Sequence, residues 1–195
     1  MNVLWGIDYG KKRSGNTVIC ERRGKEVRFF QAEKNKDADR FILDRIQESP
    51  PDRIFMDAPL SLPGAFYDES RYDNFFFRQC DQQIGGMSPM FLGGLTARAI
   101  RLKSIVSGMD IPMMEAYPGG LARHLKLKDN GYRRGKEKLG ECAGIIMESA
   151  QLDVDTNLIL SWHHIDALLA LVTAIRHEQG LSYTYGNPDE GLVYI

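Results

Sequence analysis

Four carboxylates recur in one kind of place. Asp8 closes the apolar run in "WGIDYG", Asp57 the run in "IFMDAP" and Glu115 the run in "PMMEAYP", while Asp166 lies near the start of the long apolar pattern "SWHHIDALLALVTA". A core alone would favour valine or isoleucine where a buried strand ends, so a carboxylate there is being presented. If the three strands are parallel neighbours, their carboxyl ends share one sheet edge, where the binding crevices of open α/β sheets form. Clustered carboxylates repel one another and resist desolvation unless a cation compensates them. Mg²⁺ takes oxygen ligands and keeps waters, and two such ions about 4 Å apart clamp the attacking and leaving oxygens of an in-line phosphoryl displacement. The chemistry expected is metal-dependent hydrolysis of phosphodiester bonds in DNA or RNA. Taken singly, each acid also reads as a turn or helix-end residue. Three of them repeating one topological position favour the site.

The elements that must position these acids follow from periodicity. Val3 to Asp8 is a compact apolar strand, "SGNTVIC" a second strand and "EVRFFQAE" a third, joined closely enough to be antiparallel neighbours. Ala38, Phe41, Ile42 and Ile46 then mark one face of a helix, and Arg53 to Asp57 reads as a buried strand closed by Pro59 and Pro63. An irregular aromatic insertion covers about 64–93, and within it only "RYDNFFFRQCDQQ" carries a helical pattern. Leu95, Ala99, Leu102 and Val106 predict a helix stopped at Gly108, followed by a short strand from Ile111 to Glu115. Two more helices lie in "KLGECAGIIMESAQL" and "SWHHIDALLALVTAIRHEQG". Ala170, one turn beyond Asp166, lets the last of them approach the sheet closely. This order predicts an α/β fold, a mixed sheet with helices on both faces, within a single domain spanning 1–195.

A chain of 195 residues with 43% hydrophobic content is long enough for one sizeable core. With a formal net charge of -1, any surface for a polyanion must be local rather than global. Cys20, Cys80 and Cys142 form no C-x-x-C pair, which argues against a zinc site or a disulfide framework. No apolar run approaches the roughly 18 residues of a membrane span, and the N-terminus carries no basic leader, so a cytoplasmic location with no membrane partner is expected.

"GIDYG", "MDAPLSLP", "MEAYP" and "HIDALLALVTA", in that order, resemble the RNase H-like superfamily, and more closely a branch of predicted nucleases, domain-of-unknown-function family four-two-nine. "SRYDNFFFRQCD", "MFLGGLTARAIRLKSIV" and "DEGLVYI" extend the likeness over nearly the whole chain. The resemblance implies an RNase H-like fold with a five-stranded mixed sheet, and a site in which Asp8, Asp57, Glu115 and Asp166 bind Mg²⁺ or Mn²⁺. Relatives often carry a further acid just before the last helical Asp, where this chain has His163 and His164. Histidine ligates Mn²⁺ and shuttles protons, so His163 joins the candidate catalytic residues.

Lys11, Lys12 and Arg13 follow Asp8 directly and offer a phosphate contact, although a solvated turn explains them equally. "YRRGKEKLG" brings Arg133, Arg134, Lys136 and Lys138 into a basic loop, expected to be mobile and able to grip nucleic acid. Phe66, Tyr67, Tyr72, Phe75, Phe76 and Phe77 are expected to pack in the core or in a homodimer rather than to stack on unpaired bases. Two other functions remain open. One is a non-catalytic nucleic-acid or metal-binding module on the same fold; the other is a fragment of an actin-like phosphotransferase, which "GIDYG" also suits.

Overall fold

The structure, a computed structural model, describes residues 2–195. Strands β1 (Val3–Asp8), β2 (Val18–Arg23) and β3 (Glu26–Gln31) form an antiparallel meander. Helix α1 (Ala38–Glu48), whose first turn is capped by the Asp37 side chain, crosses over to β4 (Arg53–Asp57), which pairs parallel with β1. The insertion contains α2 (Gln79–Ile84) and α3 (Pro89–Leu92). Helix α4 (Gly94–Ser107) is the next crossover, into β5 (Met113–Ala116), parallel to β4. Helices α5 (Pro118–His124), α6 (Leu139–Ala150) and α7 (Trp162–Glu178) precede a hairpin of β6 (Thr184–Asn187) and β7 (Gly191–Tyr194).

The sheet is mixed, with order β3-β2-β1-β4-β5-β7-β6, so it has seven strands and not the five expected. The C-terminal hairpin accounts for the difference, because β7 pairs parallel with β5 and carries β6 outward to a new edge. Each of its strands is four residues long and mostly half-buried, too short for an alternating pattern to stand out in sequence.

Alternation along the strands divides the core in two. Leu4, Val18, Cys20 and Phe55 pack with α5, α6 and α7 on one face; Trp5, Ile7, Ile19, Ile54 and Met56 pack with α1 and α4 on the other. Helix α7 is buried on every side from His164 to Ile175, as its continuous apolar sequence requires. Its backbone lies directly on β1 at Gly6: a Cβ there would stand 2.1 Å from the Leu171 nitrogen and 2.3 Å from the Ala167 oxygen. The glycine of "GID" is therefore set by a helix crossing that leaves no space for a side chain.

The insertion departs from expectation in two ways. The helix foreseen over "RYDNFFFRQCDQQ" begins only at Gln79, because the Asn74 side chain accepts hydrogen bonds from the Phe76 and Phe77 amides and holds a turn instead. The aromatics do not enter the core: Phe66, Tyr67, Phe75 and Phe76 are exposed, as is Phe91. They pair edge to face on the surface, Phe66 with Phe75 and Phe77 with Phe91. Among the described residues no helix is long and apolar enough to cross a membrane, and the three cysteines are free and buried.

Replacing Gly6 with alanine should cost about 3 kcal/mol or more, read as a lower urea midpoint, because both obstructing atoms are backbone and cannot swing aside. An unchanged midpoint would mean that α7 is not seated on β1 as described.

Candidate active site

The site grows from one register relation. In the parallel pair of β1 and β4, Asp8 stands directly opposite Asp57, so two carboxylates project side by side from adjacent strand ends. Both lie on the face covered by α7, since they follow Gly6 and Phe55 by two residues. Helix α7 then delivers Asp166 from its second turn, 1% exposed, to the same place.

Each acid has a different partner. Asp8 Oδ2 is 2.7 Å from His163 Nδ1, on the half-buried first turn of α7. Asp166 accepts hydrogen bonds on both oxygens, from the Tyr132 hydroxyl and from the Arg133 guanidinium at 2.5 Å. Among the described residues, no side chain or amide donates to Asp57. Burial, and then the charges of Asp8 and Asp166, push the Asp57 carboxyl well above the ordinary aspartate range. Burial raises Asp166 too, while Arg133 pulls the other way. The hydrogen bond to Asp8 is the main reason the His163 imidazole is raised above its ordinary value. Burial lowers His164, which turns away to Ser161 Oγ at 2.9 Å and packs against Phe29.

Glu115 is placed differently from expectation. Met56, not Asp57, is its partner in β4, so the strand's alternation sends Glu115 to the opposite face, and Ala116 follows it on the face of Asp57. Both its oxygens are held by Arg78, at 2.7 and 2.8 Å, and one also accepts from the Leu60 amide. Arg78 is fully buried and spends its remaining N–H groups on Asp81 and Ser61. Glu115 thus anchors the segment after β4 and has no free oxygen for a ligand.

The basic residues also divide. Lys11, Arg13, Arg134 and Lys136 are exposed, and none forms an ion pair among the described residues. Lys12 is 3.0 Å from Asp37, and Lys138 is 2.7 Å from Glu141. Arg133, exposed along most of its side chain, reaches in from the loop to pair with Asp166. Tyr132 was not foreseen; only its position beside two arginines could have drawn attention to it. A cleft of about 120 Å³ opens beside Asp57, walled by Pro59, Met87, Leu92 and Tyr117. A cleft of about 220 Å³ between α1 and α4 holds Lys12, Asp37, Asp39 and Arg98, which already pair with one another.

For a divalent cation, the donor chemistry fits on the strand side. Among the described residues, Asp57 and one oxygen of Asp8 are uncommitted carboxylate donors of the kind that hard cations take, and the repulsion that raises Asp57 is what a cation would relieve. Among the described residues, however, no group of three or more His, Cys, Asp or Glu is arranged to hold a metal ion. Asp166 is withheld by Arg133 and Tyr132, and Glu115 by Arg78.

No protein-family model and no curated protein matches the chain. A solved structure described as the Thermus thermophilus RuvC structure is similar at 11% identity with a TM-score of 0.41, covering 91% of this chain and 96% of that one. That likeness is too distant to bear on the chemistry, which rests on this chain's own residues.

Two expectations follow. An aspartate whose folded-state pKa is raised weakens the native state as pH climbs above its unfolded value near 3.8, because folding then opposes its ionisation. In chelator, Asp57→Asn should therefore melt above the parent by roughly 2–4 °C at about pH 8, with the gain shrinking towards about pH 4. Calorimetry across that range checks it, and a variant less stable than the parent at pH 8 would show that Asp57 makes an essential structural contact. For His163, the Asp8 pair contributes stability that is full below its unfolded pKa and is lost as pH rises through the folded one. Its ring resonances should titrate above 6.5 in the parent and fall back towards that value in Asp8→Asn.

Proposed function

We propose that the protein is a metal-dependent nuclease of the RNase H-like kind, hydrolysing phosphodiester bonds at the Asp8, Asp57 and Asp166 end of the sheet. One observation carries this reading: two strand acids in direct register, met by a third from a helix seated on the same strand. A mixed sheet with helices on both faces suits the fold that the sequence resembles. Asp8, Asp57 and Asp166 are the residues that would hold Mg²⁺ or Mn²⁺, and the ion would supply an acidified water and charge stabilisation.

The chain's own groups divide the remaining work. Asp8 orients the His163 ring through Nδ1, leaving Nε2 to exchange a proton with the departing oxygen or with solvent. The exposed Lys11, Arg13, Arg134 and Lys136, which form no ion pair among the described residues, are suited to flanking phosphates, and a contact of that kind orients a backbone without reading its sequence.

A second reading, a non-catalytic nucleic-acid or metal-binding module, is favoured by the Arg133–Asp166 pair, which supplies one member of the trio with a countercharge from the protein itself. A panel of single-stranded, duplex, branched and hybrid substrates separates the two. Cutting is expected with Mn²⁺ or Mg²⁺, none in chelator, and only background from Asp57→Asn. Tight nucleic-acid binding without cutting in any metal would favour the binding module.

A further inference from the structure

We infer that Arg133 is an exchangeable countercharge, which occupies Asp166 in the metal-free protein and passes to a substrate phosphate when a divalent cation takes Asp166. This rests on the reading of the site given above and assigns one residue two alternating partners.

Three observations support it. Arg133 and Tyr132 each hold one oxygen of Asp166, and the guanidinium charge beside it competes with any cation for this acid. The two ends of the pair are unlike: Asp166 is 1% exposed, whereas the Arg133 side chain is 59% exposed and reaches in from solvent. A structural ion pair in this same protein looks different, for Arg78 is fully buried and all its N–H groups are taken by Asp81, Glu115 and Ser61. Arg133 meets only Asp166 and the neighbouring Tyr132 side chain among the described residues, leaves part of its planar fork open to solvent, and a fork of that shape matches phosphate oxygens.

The physical consequence is a competition with two opposite signs. While Arg133 holds Asp166, only a fraction of molecules offers the full set of acids, and apparent cation affinity is reduced by that fraction. Once the guanidinium is displaced it stands unpaired at the mouth of the site, where a phosphodiester is the complementary anion. Cation and nucleic acid should therefore strengthen one another's binding through Arg133, and the coupling must be reciprocal.

The test uses the full chain, Mn²⁺ alone as the first probe and a non-cleavable phosphorothioate oligonucleotide as the second, with parent, Arg133→Gln and Arg133→Lys. By calorimetry, Arg133→Gln should bind Mn²⁺ about ten-fold more tightly than the parent, with Arg133→Lys in between. By fluorescence anisotropy, Mn²⁺ should tighten oligonucleotide binding in the parent by about ten-fold, and this gain should shrink in Arg133→Gln. Arg133→Lys keeps the charge but loses the fork, so it should recover part of the gain. Unchanged or weaker Mn²⁺ binding by Arg133→Gln, in a protein whose parent does bind Mn²⁺, overturns the exchange and leaves the metal site standing. Tighter Mn²⁺ binding with an undiminished oligonucleotide gain overturns the phosphate half. Absence of Mn²⁺ binding in all three proteins overturns the exchange together with the metal-dependent reading.

Discussion

The contact between the backbone of α7 and Gly6 of β1 is the constraint on which the rest of the structure depends. A helix can come this close to a strand only where the strand has no side chain, and Gly6 is the residue whose Cβ would occupy the space of the Ala167 oxygen and the Leu171 nitrogen. Asp166 lies one residue before Ala167 and Asp8 two residues after Gly6, so the crossing fixes how near the helix acid comes to the strand acids. Helix α7 bears this position because it is apolar all round from Ile165 to Ile175, apart from Asp166 and Thr173. Thr173 settles its hydroxyl on the Leu169 carbonyl within the helix. Asp166 has no such internal remedy and must look outside its helix for a partner.

Around that crossing the protein handles buried carboxylates in two contrasting ways. On the α4 face, Glu115 and Asp81 share the fully buried Arg78, every donor is used, and the segment after β4 is tied to the sheet. Glu190 extends the same arrangement by accepting the Gly64 and Gln79 amides, which joins the C-terminal hairpin to the insertion. A network satisfied in this manner is rigid, and removing one member would leave a buried charge alone. On the α7 face, Asp57 accepts nothing among the described residues, Asp8 shares a half-exposed histidine, and Asp166 borrows an arginine from a surface loop. Incomplete satisfaction at the end of a well-packed core is what separates a candidate site from scaffolding, since native interiors rarely leave such groups unpaired.

The insertion follows the same logic at lower cost. Its backbone is held by local side-chain bonds from Asn74 and Ser88 and by the Arg78 network, so its aromatic rings are free of any structural duty in the core and stand at the surface. Composition alone misleads here, because large aromatics ordinarily dominate burial.

What the sequence by itself determined is the set of properties that are local or periodic. Strands β1 to β4, helices α1, α4, α6 and α7, and the positions of Asp8 and Asp57 at strand ends could all be read from apolar period and turn residues, because each depends on neighbours within a few positions. Tertiary structure alone decided which face an acid takes and which cation meets it. Asp57 ends β4, but Glu115 stands one residue before the end of β5 and pairs with Met56, and with a side-chain period of two that offset turns Glu115 through the sheet to Arg78. The recruitment of Tyr132 and Arg133 to Asp166 spans a sequence separation of more than thirty residues and leaves no periodic trace. The C-terminal hairpin escaped for the same reason, since its short strands gain their order from pairing with β5 rather than from any pattern of their own.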